Sequence, residues 1–478
     1  MGLNPLNTLG IAVPLHRQSG IPGKIAGALL VASNIVGCLP LLHSPYGCAF
    51  QRRVNPFNPT IMLEQLLCTR LTEVEAIMGG EEKLYDAIID ASSRFNPSMI
   101  MVISTCVPDI ICDDMDDVVS RAREKLGIPI VLVKDVRHFR APRGFQAAMI
   151  ALAEQFLSRS EVEENSVNIF TFPIHEGGVK VSELVEALVK AGIRVNGVYF
   201  NKNSVDEVRR FPRAEITVVD HYLQWCREYE RKLGMKFLTV TPREADNLLE
   251  ALPYGVNGFK RLLLRIGRAL GREGEVESSV KQILRNAESE LERLRRVFSG
   301  TRIAAAGNLY GSIELLLIEE LGAKCEALFF DLSSLRRTLK DEDLKRIVDR
   351  HIRTIERIQG YAPQPYIDLD LNEAVRVAKN LGVDLVVCGY KQNPVHFLRC
   401  GVKAVSASML GARLRVGARA AISFYRRLAR IIASNTSASP PLLGLARYSQ
   451  GSRKDLPEQW GLLCELFKEL YLETRSPS

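Results

Sequence analysis

Only two tryptophans and seven histidines occur in 478 residues, and arginines do not alternate with aromatic side chains along any stripe. A stacking groove for nucleic acid therefore has little to be built from. Charge of neither sign dominates: 63 Lys and Arg against 55 Asp and Glu leave a net +8. Scattered along so long a chain, that excess supports solubility and an acidic partner rather than a polyanion-binding face. Ten cysteines are too sparse for a secreted disulfide scaffold, and a reducing compartment, the cytoplasm, suits them better. A working phosphate loop is missing as well. Gly20-Ile21-Pro22-Gly23-Lys24 superficially suggests one, but its first glycine is misplaced and Ile25 follows Lys24 where a magnesium-binding Ser or Thr is needed. ATP hydrolysis is therefore expected on a partner. Ile25 to Leu42 is nearly all apolar, yet Ser33, Asn34, Gly37 and Pro40 interrupt it. A buried helix running into a buried turn explains it better than a membrane span.

What is present is globular. With 46% hydrophobic and 25% charged residues, the chain is too long for one compact core, and two to four domains are expected. From Met99 onward, apolar β-rich runs alternate with amphipathic stretches, the pattern of βαβ units on parallel sheets. The first sheet holds Met99 to Ser104 and Ile128 to Val133, with a helix over Asp116 to Leu126. The second holds Val167 to Phe172, Val195 to Phe200, Ile216 to Val219 and Phe237 to Val240, with helices near Val179 to Ala191 and Tyr222 to Leu233. Glu275 to Phe298 lacks Gly and Pro and keeps Val280, Ile283, Leu284, Leu291 and Leu294 at helical spacing, which predicts a bridging helix. The third sheet begins at Arg302 to Ala306, continues through Glu326 to Phe330 and Asp384 to Cys388, and is followed by a helix around Gly417 to Ile432. Ser434 to Pro441 resembles a linker before a last helix around Glu458 to Tyr471. The expected division is 1–162, 163–298, 299–433 and a tail, 434–478.

Chemistry concentrates in two segments. In Leu41-Leu42-His43-Ser44-Pro45-Tyr46-Gly47-Cys48-Ala49-Phe50 an apolar run stops at a Pro/Gly turn that presents a cysteine. In Ile103-Ser104-Thr105-Cys106-Val107-Pro108-Asp109-Ile110-Ile111-Cys112-Asp113-Asp114 a buried strand ends at a cysteine where a helix starts. Ligands of doubly wound sheets bind at the carboxyl ends of strands, and a helix start favours an anionic thiolate or a negatively charged cluster. Taken singly, each cysteine also fits a buried structural thiol. Asp113, Asp114, Asp116 and Asp117 fit a solvated first helical turn rather than a metal cluster. His396 and Cys400, four residues apart, have no second pair to complete a metal site.

Taken together, Pro40-Leu41-Leu42-His43 before Gly47-Cys48, Leu71-Thr72-Glu73 leading to Met78-Gly79-Gly80-Glu81-Glu82-Lys83-Leu84, and Ser104-Thr105-Cys106 with Asp113-Asp114 resemble the nitrogenase component 1 family. Its motifs run Pro-Leu-Leu-His…Gly-Cys, Thr-Glu…Phe-Gly-Gly…Lys-Leu and Thr-Cys…Gly-Asp-Asp. The separation of Cys48 from Cys106, 58 positions, also resembles the spacing in β-type subunits. The resemblance, weaker toward the carboxyl end, implies an α/β fold of three Rossmann-like domains, each a mainly parallel sheet flanked by helices. It implies an Fe–S cluster at a subunit interface, a homodimer or a heteromeric assembly with a related subunit, and electrons supplied by an iron-protein-like ATPase. Relatives include nitrogenases, their cofactor-assembly scaffolds, dark protochlorophyllide reductase, nickel-sirohydrochlorin reductive cyclase and alkyl-sulfide reductases.

The departures narrow this expectation. The family's third cluster cysteine, in a Cys-x-Pro-x-Gly-Ala segment, is replaced by Gly23 in Gly23-Lys24-Ile25-Ala26-Gly27-Ala28, which argues against a full nitrogenase P-cluster. Two cysteines per subunit, Cys48 and Cys106, instead supply four thiolates across a two-fold axis, the ligand number of a [4Fe–4S] cluster. Cys112, where the family usually has Gly, and Cys38, ten residues before Cys48, are further candidates. Counting from Phe211-Pro212 through Ile216 to Asp220 places His221 where α subunits hold their catalytic cofactor by a cysteine. An imidazole there can ligate a metal or donate a proton, or merely cap a helix. The family's second cofactor ligand, a histidine expected near Val405-Ser406-Ala407, is absent, so dinitrogen reduction is not expected. The expected function is an electron-accepting catalytic subunit acting on a hard-to-reduce substrate such as a tetrapyrrole. An assembly scaffold or a cluster-free binding subunit of the same fold is the alternative.

Overall fold

The structure, a computed structural model, describes residues 24–53, 66–134, 141–170, 181–219, 222–240, 248–306, 313–332, 336, 340–388, 394–406 and 416–433. The chain forms two compact units, one of residues 1–244 with 260–283, the other of 245–259 with 284–478. Three parallel sheets carry the fold, as the alternation of apolar runs and amphipathic stretches requires.

The apolar run at the start divides, contrary to the expectation of a helix entering a turn. Its first part is the helix Lys24–Ser33, closed by Ser33 and Asn34 side chains that donate to the Leu30 carbonyl. Its second part is extended: β1 (Ile35–Val36), a turn at Gly37 with φ +81°, and β2 (Cys38–His43). With β3 (Leu67–Cys68), β4 (Met99–Ser104) and β5 (Ile130–Val133), β2 makes a parallel sheet of order β3-β2-β4-β5. Both faces are covered, so the strands are apolar throughout rather than alternating. Leu42, Met99, Met101, Ile103, Val131 and Val133 point to one face, toward the helices Lys24–Ser33 and Ala141–Gln155. Leu39, Leu41, Ile100, Val102, Ile130 and Leu132 point to the other, where Leu84 and Ile88 of helix Glu81–Phe95 and Val118 of helix Met115–Leu126 meet them.

The second sheet, order β10-β9-β6-β7, is formed by β6 (Glu163–Phe170), β7 (Arg194–Tyr199), β9 (Ala214–Val219) and β10 (Phe237–Thr239), all parallel. Buried Asn168 on β6 is fully engaged: its amide donates to the Phe211 carbonyl at 2.8 Å and to Thr217 Oγ1 at 3.0 Å, and accepts from Asn196 at 2.8 Å. No gap separates the first sheet from the second. One buried cluster runs from Met101 and Val133 through Phe145 and Leu152 to Phe170, Tyr199 and Trp225. In addition β1 pairs with β8 (Asn203–Ser204) in parallel register, and Lys202 Nζ donates to the Ser33 carbonyl at 2.6 Å.

The helix predicted over Glu275 to Phe298 spans Glu273–Phe298. Beyond it β11 (Arg302–Ala306), β12 (Lys324–Phe330), β13 (Gln364–Ile367), β14 (Leu385–Cys388) and β15 (Ala404–Ser406) form the third sheet, order β13-β12-β11-β14-β15, again parallel. Glu320, fully buried, accepts hydrogen bonds from the amides of Val256 and Asn257 and from the Tyr425 hydroxyl. Among the described residues no helix is long and apolar enough to cross a membrane. The expected linker and helix over 434–478 lie outside the described residues.

Candidate functional site

Because β3, β2 and β4 are adjacent and parallel, their carboxyl ends share one edge, and each delivers a cysteine there. Cys68 is the last residue of β3. Chain leaving β2 turns at Ser44-Pro45 into helix Tyr46–Arg53, where the Cys48 amide donates to the Pro45 carbonyl at 3.2 Å. Chain leaving β4 passes through extended Thr105 into helix Cys106–Ile111. Thr105 does not cap its own helix; its hydroxyl donates to the His43 carbonyl at 2.8 Å, so the segments bearing Cys48 and Cys106 are stapled together. The sequence motifs thus meet in space. Helix Cys106–Ile111 has six residues, too few to present the sizeable macrodipole expected of it.

Beneath the cysteines lies a buried polar knot. His43 pairs through Nε2 with Asp113 Oδ2 at 2.9 Å and through Nδ1 with Thr69 Oγ1 at 3.1 Å. Asp113 Oδ1 accepts the Gly80 amide at 3.0 Å. A Cβ at Gly80 would stand 2.8 Å from Asp113 Oδ2 and 3.1 Å from the His43 ring, so the close approach needs glycine. Asp113 is buried, which corrects its reading as part of a solvated helical turn: it belongs to this knot. Asp114, by contrast, caps helix Met115–Leu126 by accepting from the Asp117 amide. Burial pulls the pKa of His43 below its ordinary value, while the hydrogen bond and charge of Asp113 oppose the fall.

The Cys48 thiol is half-buried. Burial raises its pKa, the neighbouring sulfurs of Cys106 and Cys68 add to the rise, and the Arg52 guanidinium opposes it. Cys106 and Cys68 thus each stand close enough to Cys48 to act on it. Cys68, absent from the sequence expectation, has its Sγ 3.3 Å from both the Ser44 carbonyl and the Ser44 hydroxyl. The only sequence signal for it was a cysteine just ahead of the Thr72-Glu73 motif. Arg70 stacks its guanidinium 5.5 Å from the centre of the Tyr46 ring.

The other expected residues lie elsewhere. Cys38 begins β2, at the amino end of the sheet, about 17 Å of extended chain from His43. It is buried, and burial pushes its pKa up to about 12. Cys112 is exposed at the far end of helix Cys106–Ile111, held at φ +60° in the left-handed region. His221 lies outside the described residues. His396 hydrogen-bonds Asn372 at 3.0 Å. Cys325 and Cys388 are buried within the third sheet.

Exposed apolar side chains form a collar on the helices that carry Cys48 and Cys106 and on the helix packed against the latter. Helix Glu73–Met78 buries no side chain: Val74, Ile77 and Met78 are exposed, the last two by 81% and 79%. Ile110, on the helix that begins at Cys106, is 71% exposed, and Tyr46 and Phe50 flank Cys48. Soft sulfur donors suit iron or an Fe–S cluster better than a hard cation. Among the described residues no three His, Cys, Asp or Glu side chains converge tightly enough to hold a single metal ion.

The family model for nitrogenase component 1 type oxidoreductases matches residues 24–433. The chain is 28% identical over 301 residues to the nitrogenase iron-molybdenum cofactor biosynthesis protein NifE of Clostridium pasteurianum, covering 61% of this chain and 63% of that protein. It is 25% identical over 244 residues to one of the subunits of the light-independent protochlorophyllide reductase of Angiopteris evecta, covering 45% and 46%. These matches span less than two thirds of either relative's length. In fold the chain is similar to the solved structure of nitrogenase Cp1 at pH 6.5, with a TM-score of 0.61 at 17% identity, covering 88% of this chain and 91% of that one. With motifs, fold and family model in agreement over most of its length, the chain belongs to the nitrogenase component 1 type oxidoreductases.

Proposed function

We propose that this chain is the electron-accepting subunit of a nitrogenase-like reductase. Cys48 and Cys106 hold an interface [4Fe–4S] cluster, its remaining ligands coming from a second copy or a related subunit. When bound, that cluster would store and pass low-potential electrons received from a separate iron-protein-like ATPase. The observation that carries the reading is the delivery of Cys48 and Cys106 to one sheet edge inside an exposed apolar collar. A collar of this kind suits a subunit face, where burying Ile77, Met78 and Ile110 offsets the cost of their exposure. The chain's own groups have definite tasks: the His43–Asp113 knot fixes the two turns, and Arg52 offsets the negative charge of a thiolate-ligated cluster. His221 serves the substrate side, and a tetrapyrrole or another hard-to-reduce molecule is the substrate class. The site operates in the cytoplasm. The three main sheets fall one each within 1–162, 163–298 and 299–433, which we take as the domains.

The second reading, a scaffold that matures a metal cluster without turnover, is favoured by the similarity to a cofactor biosynthesis protein. Anaerobic purification followed by iron and sulfide analysis tests the site. We expect a brown protein with about four irons per cluster-bearing interface, and loss of most of that iron in Cys106→Ser. Full iron retention in that variant would overturn the ligand assignment. Turnover with an iron-protein-like ATPase and reductant then separates reductase from scaffold.

A further inference from the structure

The site contains a third thiol that neither the motifs nor the family resemblance assigns. We propose that Cys68 is a ligand of the same cluster, so that one chain supplies three of the four thiolates a [4Fe–4S] group takes and a related subunit, rather than a second copy, supplies the fourth. The inference rests on the cluster reading above and adds a residue to it.

Position is the first argument. Parallel registers Leu42↔Cys68 and His43↔Ser104 set the ends of β3 and β4 on either side of the end of β2. Cys68 therefore lies across the β2 turn from Cys106. As a thiol, its Sγ donates to the Ser44 carbonyl at 3.3 Å and to the Pro45 carbonyl at 3.7 Å, so it rests on that turn. The same Pro45 carbonyl receives the Cys48 amide at 3.2 Å, so one carbonyl oxygen touches both cysteines.

Preparation of the sulfur is the second argument. The Arg70 amide donates to Cys68 Sγ at 3.4 Å, in a turn where Arg70 adopts φ +57°. A non-glycine residue in that region costs about 1 kcal/mol or more. What the turn gains is an N–H aimed at a sulfur, the contact that stabilises a thiolate and tunes cluster ligands. The Ser44 hydroxyl, 3.3 Å away, donates to the Pro45 carbonyl at 3.0 Å and can turn to the sulfur once the thiol proton is lost.

The accessible surface is the third argument. Cys68 packs on one side against the hydrophobic cluster and stays partly exposed on the other, whereas Cys38, Cys226, Cys325 and Cys388 are buried. On binding, Cys68 gives its proton to solvent and its sulfur to iron, with no redox change at the ligand.

The test uses the full chain, reconstituted anaerobically with ferrous iron and sulfide. Wild type is compared with Cys68→Ser and Cys106→Ser by iron content, by electron paramagnetic resonance of the dithionite-reduced protein, and by melting temperature of the iron-free form. Serine can still donate to the Ser44 carbonyl, so the fold is expected to persist. We expect Cys68→Ser to lose at least half its iron, with an altered spectrum in what remains. Wild-type iron and an unchanged spectrum in Cys68→Ser, alongside iron loss in Cys106→Ser, would overturn the role of Cys68 and leave the cluster reading intact. Wild type that binds no iron would sink both. If Cys68→Ser melts well below wild type, iodoacetamide labelling of wild type decides. Protection of Cys68 in iron-loaded protein that is lost when iron is chelated supports ligation, and equal labelling in both states excludes it.

Discussion

At the residue scale, the most consequential group outside the cysteines is His43. Its pKa is held down chiefly by burial, so the unfolded chain takes up a proton near pH 6.5 that the folded chain refuses until lower pH. This contribution to stability is complete above about pH 6.5 and is lost as the pH falls below it. Melting temperature should therefore drop on acidification from pH 7 to pH 5, and the drop should be smaller in His43→Gln. Asp113→Ala leaves the His43 ring and the Gly80 amide without their buried acceptor and is expected to cost about 2–4 kcal/mol in denaturant titration. The motif cysteines were legible because a Pro/Gly turn and a strand end mark them in sequence. Asp113 was not, because its partner His43 lies 70 residues away, and nothing local distinguishes it from the Asp114 cap. Cys112 sits at a left-handed C-cap that glycine fills without steric penalty. Cys112→Gly should stabilise the protein by about 1 kcal/mol, read as a raised melting temperature.

At the element scale, helix Glu73–Met78 is unusual in burying nothing, and it is short. It persists because its start is tied down: Thr72 and Glu75 form a reciprocal capping box, and Glu75 also bonds Lys83 at 2.7 Å. Those contacts hold the Glu75 carboxyl down to about 2, well below neutral pH. A helix fixed by its polar end and offering Val74, Ile77 and Met78 outward is built for contact with another surface. Ile77→Asp should weaken self-association or subunit pairing by tenfold or more in sedimentation equilibrium, with an unchanged melting temperature for the isolated chain. Strong elements such as helix Glu273–Phe298 were legible because their apolar spacing is long and uninterrupted. Strands β2 and β3 were hidden for opposite reasons: β2 continues an apolar run begun by a helix, and β3 is two residues long. Strands β13 and β15, with four and three residues, carry too little pattern to separate from loop.

At the scale of the whole molecule, a chain that forms two compact units predicts unfolding that is not two-state. Calorimetry should resolve more than one transition. Asp113→Ala should shift one of them, and Glu320→Gln, which disturbs the acceptor for Val256, Asn257 and Tyr425, the other. The overall class was legible because parallel sheets covered on both faces leave runs of Val, Ile and Leu that few other folds require. The union of the first two sheets was not, since it depends on side chains such as Phe145 and Trp225 meeting from distant segments. That union has a mechanical meaning. A seam closed by a continuous core and by the β1–β8 ladder has no joint to bend, so the second sheet cannot swing away from the thiols to admit a large molecule. Any opening within this unit would have to come from surface loops, while its two sheets behave as a fixed anvil.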